Sequence, residues 1–131
     1  MPRMDGVLET SLYVNDPELS VRFYTTIFGF EVIDSGERLY ALGILGRQVL
    51  LLFKKGASAN LALGGHDGEG QLHLAFAVPA LELDVWEAWL QRHGVAIEQR
   101  RAWERGGHSL YFRDPDQHLI ELATPGVWSV Y

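Results

Sequence analysis

Glu9 in "VLETSLYV", His73 in "QLHLAFAV" and Glu121 in "HLIELAT" each set an ionisable side chain at an alternating position inside an otherwise apolar run. A carboxylate so placed can be solvated on an open sheet face, pair with an arginine, or do chemistry at a cleft. A histidine between Leu72 and Leu74 can be a hydrogen-bonded core residue or a ligand. Cysteine is absent, which removes disulfides and thiolate sites, so any bound metal is left to His, Asp, Glu or similar ligands. Ser109, Tyr111 and Arg113 recur at period two before "DPD". They could hold an anionic or hydroxylated substrate, or serve as structural cross-strand partners. No GxGxxG, P-loop or nucleophile-elbow pattern occurs, so nucleotide and serine-hydrolase chemistry has no support.

The elements that position these residues are legible in periodicity. Residues 7–14 alternate, with Leu8, Thr10, Leu12 and Val14 opposing Glu9, Ser11 and Tyr13, as in a half-buried strand. "NDP" then supplies a capping residue and an N-terminal proline, and Leu19, Phe23 and Ile27 recur every fourth residue, predicting a helix over about 17–28 closed by Gly29. Strands follow "FEVID", near 38–45 and 48–54. A Gly/Ala/Ser-rich stretch, 55–70, lacks periodicity and reads as a linker or mobile loop. Alternation resumes at 71–78, a helix is expected from about 83 to 93, ending at Gly94, and strands near 95–101, 108–113 and 118–123 complete the chain. His66, His93 and His108 are expected at the surface, and His118 on the helix side of its strand. Trp86 and Trp89 are expected in the core, and Trp103 and Trp128 in loops that could wall a pocket or a dimer contact.

An offset of 64 carries Glu9 onto His73 and Val14 onto Val78, and an offset of 65 carries Gly29 onto Gly94. This is an internal duplication: an α+β domain over residues 1–131 built from two βαβββ modules, 6–55 and 71–126, joined by a linker at 56–70. The apolar strand faces (Leu8, Leu12, Val14; Leu72, Leu74, Phe76; Leu110, Phe112; Ile120, Leu122) are expected under the helices. The opposite faces then carry Glu9, His73, Ser109, Tyr111, Arg113 and Glu121 beside small residues such as Ala75, Ala77 and Ser11, which leaves room for a cavity.

Composition limits the partner. The chain has 131 residues, 47% hydrophobic and 21% charged, enough for one buried core. With 11 Lys and Arg against 17 Asp and Glu the formal charge is -6, and no basic stripe runs along the chain, which disfavours nucleic acid. No apolar run has the roughly 20 residues of a membrane span, and "MPRMDG" lacks the apolar segment of a secretory signal, so a cytoplasmic protein acting on a small molecule is expected.

The order and spacing of "LETSLYVNDPELSVRFYTTIFGFEV", "LHLAFAV" and "SLYFRDPDQHLIELATP" resemble the vicinal oxygen chelate superfamily, which contains glyoxalase I, bleomycin-resistance proteins, fosfomycin-resistance enzymes and extradiol dioxygenases. The resemblance implies two βαβββ modules whose sheets curl around a cleft holding a divalent metal, and a homodimer whose clefts mix residues of two copies. It places the metal ligands on Glu9, His73 and Glu121, with Glu121 or Glu9 as a catalytic base. Glu9 replaces the histidine common at the first position, and "QVLLLFKK" lacks the further ligand of glyoxalase I, which argues against lactoylglutathione lyase activity itself. One imidazole and two carboxylates suit Mn²⁺, Ni²⁺, Co²⁺, Fe²⁺ or Zn²⁺ as a Lewis acid better than iron(II) oxygen activation. The implied activity is that of a lyase, isomerase or thiol transferase on a small oxygenated substrate. A metal-free protein that sequesters a cationic drug is the alternative, and extradiol cleavage ranks third. At Gln117 the resemblance implies glycine, so strain is expected in the turn that presents Glu121.

Overall fold

The alternating runs become strands and the capped segment becomes a helix in the computed structural model, which describes residues 1–131. Two compact units divide at residue 70, Met1–Gly70 and Gln71–Tyr131. No helix is long and apolar enough to cross a membrane.

In the first unit, β1 (Glu9–Val14) leads to α1 (Pro17–Phe28), then β2 (Glu31–Ser35), β3 (Leu39–Ile44) and β4 (Gln48–Lys54). Asp16 caps α1 by accepting from the backbone N–H groups of Glu18 and Leu19 at 3.1 and 3.2 Å. Gly29 ends it at φ 68°, a left-handed conformation that glycine adopts without a Cβ penalty. The buried stripe is Ser20, Tyr24 and Ile27, one step round the helix from the expected Leu19 face. Leu19 itself is 43% exposed, because Tyr24 turns inward and stacks with Phe28 and Phe30. The sheet order is β1-β4-β3-β2, with β1 parallel to β4. Leu12, Val14, Leu42, Leu50 and Leu52 are buried, each contributing roughly 2 kcal/mol through apolar burial. Leu8 precedes β1 and is exposed, which corrects its placement under the helix.

The segment expected as a mobile linker is built into this unit. The Tyr13 hydroxyl and His66 Nδ1 share a 2.6 Å hydrogen bond, and the His66 ring meets Phe53 edge-on with centroids 4.5 Å apart. Asp67 accepts from the Gly56 N–H, and Arg38 donates to the buried Ser58 hydroxyl at 2.8 Å. Hydrogen bonds between residues far apart in the chain leave no periodicity, which is why the composition of 55–70 misled. His66 is correspondingly half-buried rather than a surface histidine.

The second unit repeats the plan: β5 (His73–Ala77), a short 3₁₀ turn (Ala80–Glu82), α2 (Leu83–Arg92), β6 (Gln99–Ala102), β7 (His108–Arg113) and β8 (Leu119–Ala123). Its order, β5-β8-β7-β6 with β5 parallel to β8, matches that of the first sheet. The duplication read from the two offsets is therefore a duplication of topology. Leu110, Phe112, Ile120 and Leu122 are fully buried, together with Leu83, Leu90 and His118. Trp86 and Trp89 are half-buried and not core; the Trp89 and His93 rings pack at a tilt, with centroids 3.9 Å apart. Leu72, Leu74 and Phe76 are likewise only half-buried.

Candidate active site

Strand register decides which side chains of the second unit meet. Ala75, Glu121, Tyr111 and Gln99 are partners in one row across the sheet, and Ala77, Ala123, Ser109 and Arg101 in the next. Side chains two residues apart on a strand share a face, so both rows, and His73, project opposite to Ile120 and Leu122.

His73 and Glu121 are brought together, with Nε2 standing 3.2 Å from Oε2. The other ring nitrogen, Nδ1, lies 2.9 Å from the Leu119 carbonyl oxygen. A carbonyl only accepts, so Nδ1 carries a proton, and in the neutral ring Nε2 bears the lone pair. Glu121 is 6% exposed. Its Oε1 accepts from the buried Ser109 hydroxyl at 2.5 Å, and the Ser109 oxygen accepts from the Trp103 indole N–H at 2.8 Å. Tyr111 stands across the strand pair from Glu121. Burial raises its phenol pKa, and the charge and hydrogen bonding of Glu121 add to this against opposing pulls from Ser109 and Arg101. The phenol therefore stays protonated at neutral pH and is a hydrogen-bond donor.

Arg113, expected to meet substrate, is taken up elsewhere. Its Nε and Nη2 donate to the two oxygens of Glu98 at 2.6 and 2.9 Å, and its Nη1 donates to the Gln117 carbonyl at 3.1 Å. This forked pair holds the base of the β7–β8 turn. The cation on the Ser109 row is instead Arg101, whose guanidinium lies 3.6 Å from the Trp103 ring centroid and has no carboxylate partner. Neither Arg101 nor Trp103 was singled out from sequence as a partner of Glu121. A signal was present: the β6–β7 hairpin pairs Arg101 with Ser109 and closes through Trp103 N–H to the Gly107 carbonyl at 2.8 Å, so period two carries Arg101 and Trp103 onto the Ser109 face.

Glu9 opens β1 in the first unit, exposed, with Val49 as its register partner. Where the second sheet sets Glu121 beside Ala75, the first sets Leu51 beside Ser11, so the duplicated position has no carboxylate there. The chain gathers no group of three or more His, Asp or Glu side chains able to hold a metal ion.

Residues 6–122 match the Glyoxalase/Bleomycin resistance protein/Dioxygenase superfamily. The chain belongs to this superfamily. It is 33% identical over 116 residues to a catechol-2,3-dioxygenase of Bacillus subtilis, covering 85% of this chain and 38% of that protein. The chain thus spans well under half the length of that relative. It is 30% identical over 112 residues to the metallothiol transferase FosB of Staphylococcus epidermidis, covering 85% of this chain and 75% of the transferase. Among solved structures, lactoylglutathione lyase from Agrobacterium tumefaciens superposes with a TM-score of 0.91 at 28% identity, covering 98% of this chain and 99% of the lyase. The α+β fold of two repeated modules is that of the glyoxalase group.

Proposed function

We propose that this member of the superfamily is a metal-dependent enzyme of the glyoxalase type, a lyase, isomerase or thiol transferase acting on a small oxygenated substrate. One observation carries the reading: Nε2 of His73 stands 3.2 Å from a carboxylate oxygen of Glu121. Two acceptors at that distance repel unless a proton or a cation lies between them, and a neutral imidazole fixed through Nδ1 beside a hydrogen-bonded carboxylate is a donor pair suited to a divalent ion. The names of the related metallothiol transferases point the same way. Glu9 is the third ligand that the resemblance implies, and the implied homodimer would let a second copy supply it. When bound, Mn²⁺, Ni²⁺, Co²⁺, Fe²⁺ or Zn²⁺ would supply Lewis acidity toward a carbonyl, enediolate or epoxide oxygen of the substrate.

The chain's own groups divide the remaining work. The Tyr111 phenol hydrogen-bonds to Ser109 and Glu121 and helps to hold the carboxylate in place. Glu121 can take a proton at Oε2, since Oε1 is held by Ser109, and Glu9 is the other candidate base. Arg101, over the Trp103 ring and without a carboxylate partner, binds an anionic substituent, the part first assigned to Arg113.

Elemental analysis of untagged protein tests the reading. Near-stoichiometric metal is expected in the wild type, lost in His73→Ala and Glu121→Gln and reduced in Glu9→Gln. A protein that takes up none of the five ions after incubation would refute it and leave drug sequestration as the better account.

A further inference from the structure

Ser109 has one proton and two lone pairs, and its surroundings settle where each goes. The indole N–H of Trp103 can only donate, so at 2.8 Å it occupies a lone pair of the Ser109 oxygen. The hydroxyl proton must then go to an acceptor, and Glu121 Oε1 stands 2.5 Å away. Ser109 is 0% exposed, so water does not compete for either contact. Oε1 of Glu121 is thereby committed to Ser109, and its other oxygen, Oε2, faces His73 Nε2; Tyr111 closes the cluster with hydrogen bonds to both Ser109 and Glu121. Arg101 packs against the indole face, and the Trp103 backbone is pinned at both its N–H and its carbonyl, to Gly107 and from Gly106. The ring therefore holds its N–H direction.

We propose that Trp103 is a positioning residue for Glu121. Acting through Ser109, it commits Oε1 and leaves Oε2 as the oxygen that faces His73 and would meet a cation. The proposal rests on the reading of His73 and Glu121 as metal ligands, but the hydrogen-bond chain itself exists without metal. A role confined to packing would require the ring and not its N–H.

Two substitutions separate the N–H from the ring: Trp103→Phe, and replacement of Trp103 by benzothienylalanine, which keeps the bicyclic shape without the donor. In metal-free protein, the Glu121 side-chain carboxyl ¹³C resonance should move in both variants and in Ser109→Ala, and the Trp103→Phe/Ser109→Ala double variant should move no further. Mn²⁺ binding followed by calorimetry should weaken about tenfold in each single variant, the usual scale for losing a partner of a metal ligand, again with no addition in the double variant. Resonances unmoved by loss of the N–H, or effects of the two substitutions that add, overturn the positioning role whether or not metal binds. Should wild type bind no Mn²⁺ while the resonances shift as expected, the ligand reading fails and the hydrogen-bond positioning of Glu121 stands.

Discussion

Glu121→Gln should stabilise the metal-free protein and abolish its response to metal. The amide keeps an oxygen to accept from Ser109, and its NH₂ group replaces Oε2 opposite the His73 lone pair, where the present separation is 3.2 Å. Exchanging a charge-assisted for a neutral bond from Ser109 loses about 1 kcal/mol, and the new N–H···N bond gains about 1 kcal/mol. These offset. What remains is relief from burying a carboxylate that is 6% exposed. Burying an ion costs several kcal/mol before compensation; with Ser109 and Tyr111 meeting most of that, about 1 kcal/mol is left, or about 4 °C in Tm for a chain of this size. In Mn²⁺ at about a hundred times its dissociation constant the wild type gains about 2.7 kcal/mol, and the order of melting reverses. Differential scanning calorimetry at pH 8, in chelator and then in excess Mn²⁺, reads both arms. A Gln variant that melts below wild type in chelator, or that rises with Mn²⁺ as wild type does, refutes the opposed-acceptor argument.

Gln117 sits at φ 66°, where a side chain costs about 1–2 kcal/mol, so Gln117→Gly should stabilise by about 0.5–1 kcal/mol in urea melts after the entropy of the added glycine is set against it; its carbonyl contact with Arg113 survives. Arg113→Ala should lower stability through loss of its forked pair with Glu98, whereas Arg101→Ala should lower it only by about 0.5–1 kcal/mol, the worth of its cation–π contact with Trp103, and weaken binding of anionic ligands, measured by calorimetry with small carboxylates and phosphonates. The Arg113 guanidinium, through its hydrogen bond and then its charge, lowers the Glu98 pKa from its ordinary 4.5. A lowered folded value means stability fully present above that ordinary value and lost as pH falls through the lowered one, so Glu98→Gln should flatten acid unfolding monitored by circular dichroism, and an unchanged acid limb would discount the pair.

Much of the scaffold was legible because it is local. Alternation at 108–113 and 118–123 correctly put Leu110, Phe112, Ile120 and Leu122 in the core and turned Glu121 to the other face, since successive side chains on a strand must oppose one another. Asp16, Pro17 and Gly29 marked the ends of α1 through backbone chemistry confined to a few residues. The strain expected at Gln117 is present as a positive φ. Periodicity failed where several apolar residues compete for one helix face, as Leu19 did with Tyr24, and where a segment is held by side-chain hydrogen bonds, as 55–70 is through His66 and Asp67.

Spacing thus established the duplication and turned His73 and Glu121 to the face opposite Ile120 and Leu122, because each follows from chain geometry with a period of two or from a repeat along the sequence; the superfamily entered as a resemblance that the family match over residues 6–122 bears out. The choice of partners came from folding. His73 is oriented by the carbonyl of Leu119, 46 residues away, and Glu121 by Ser109 and in turn Trp103. Of two arginines on the same face, Glu98 claims Arg113 and leaves Arg101 on the indole. Hydrogen-bond direction depends on register and distance between residues remote in sequence, and no pattern along the chain encodes either.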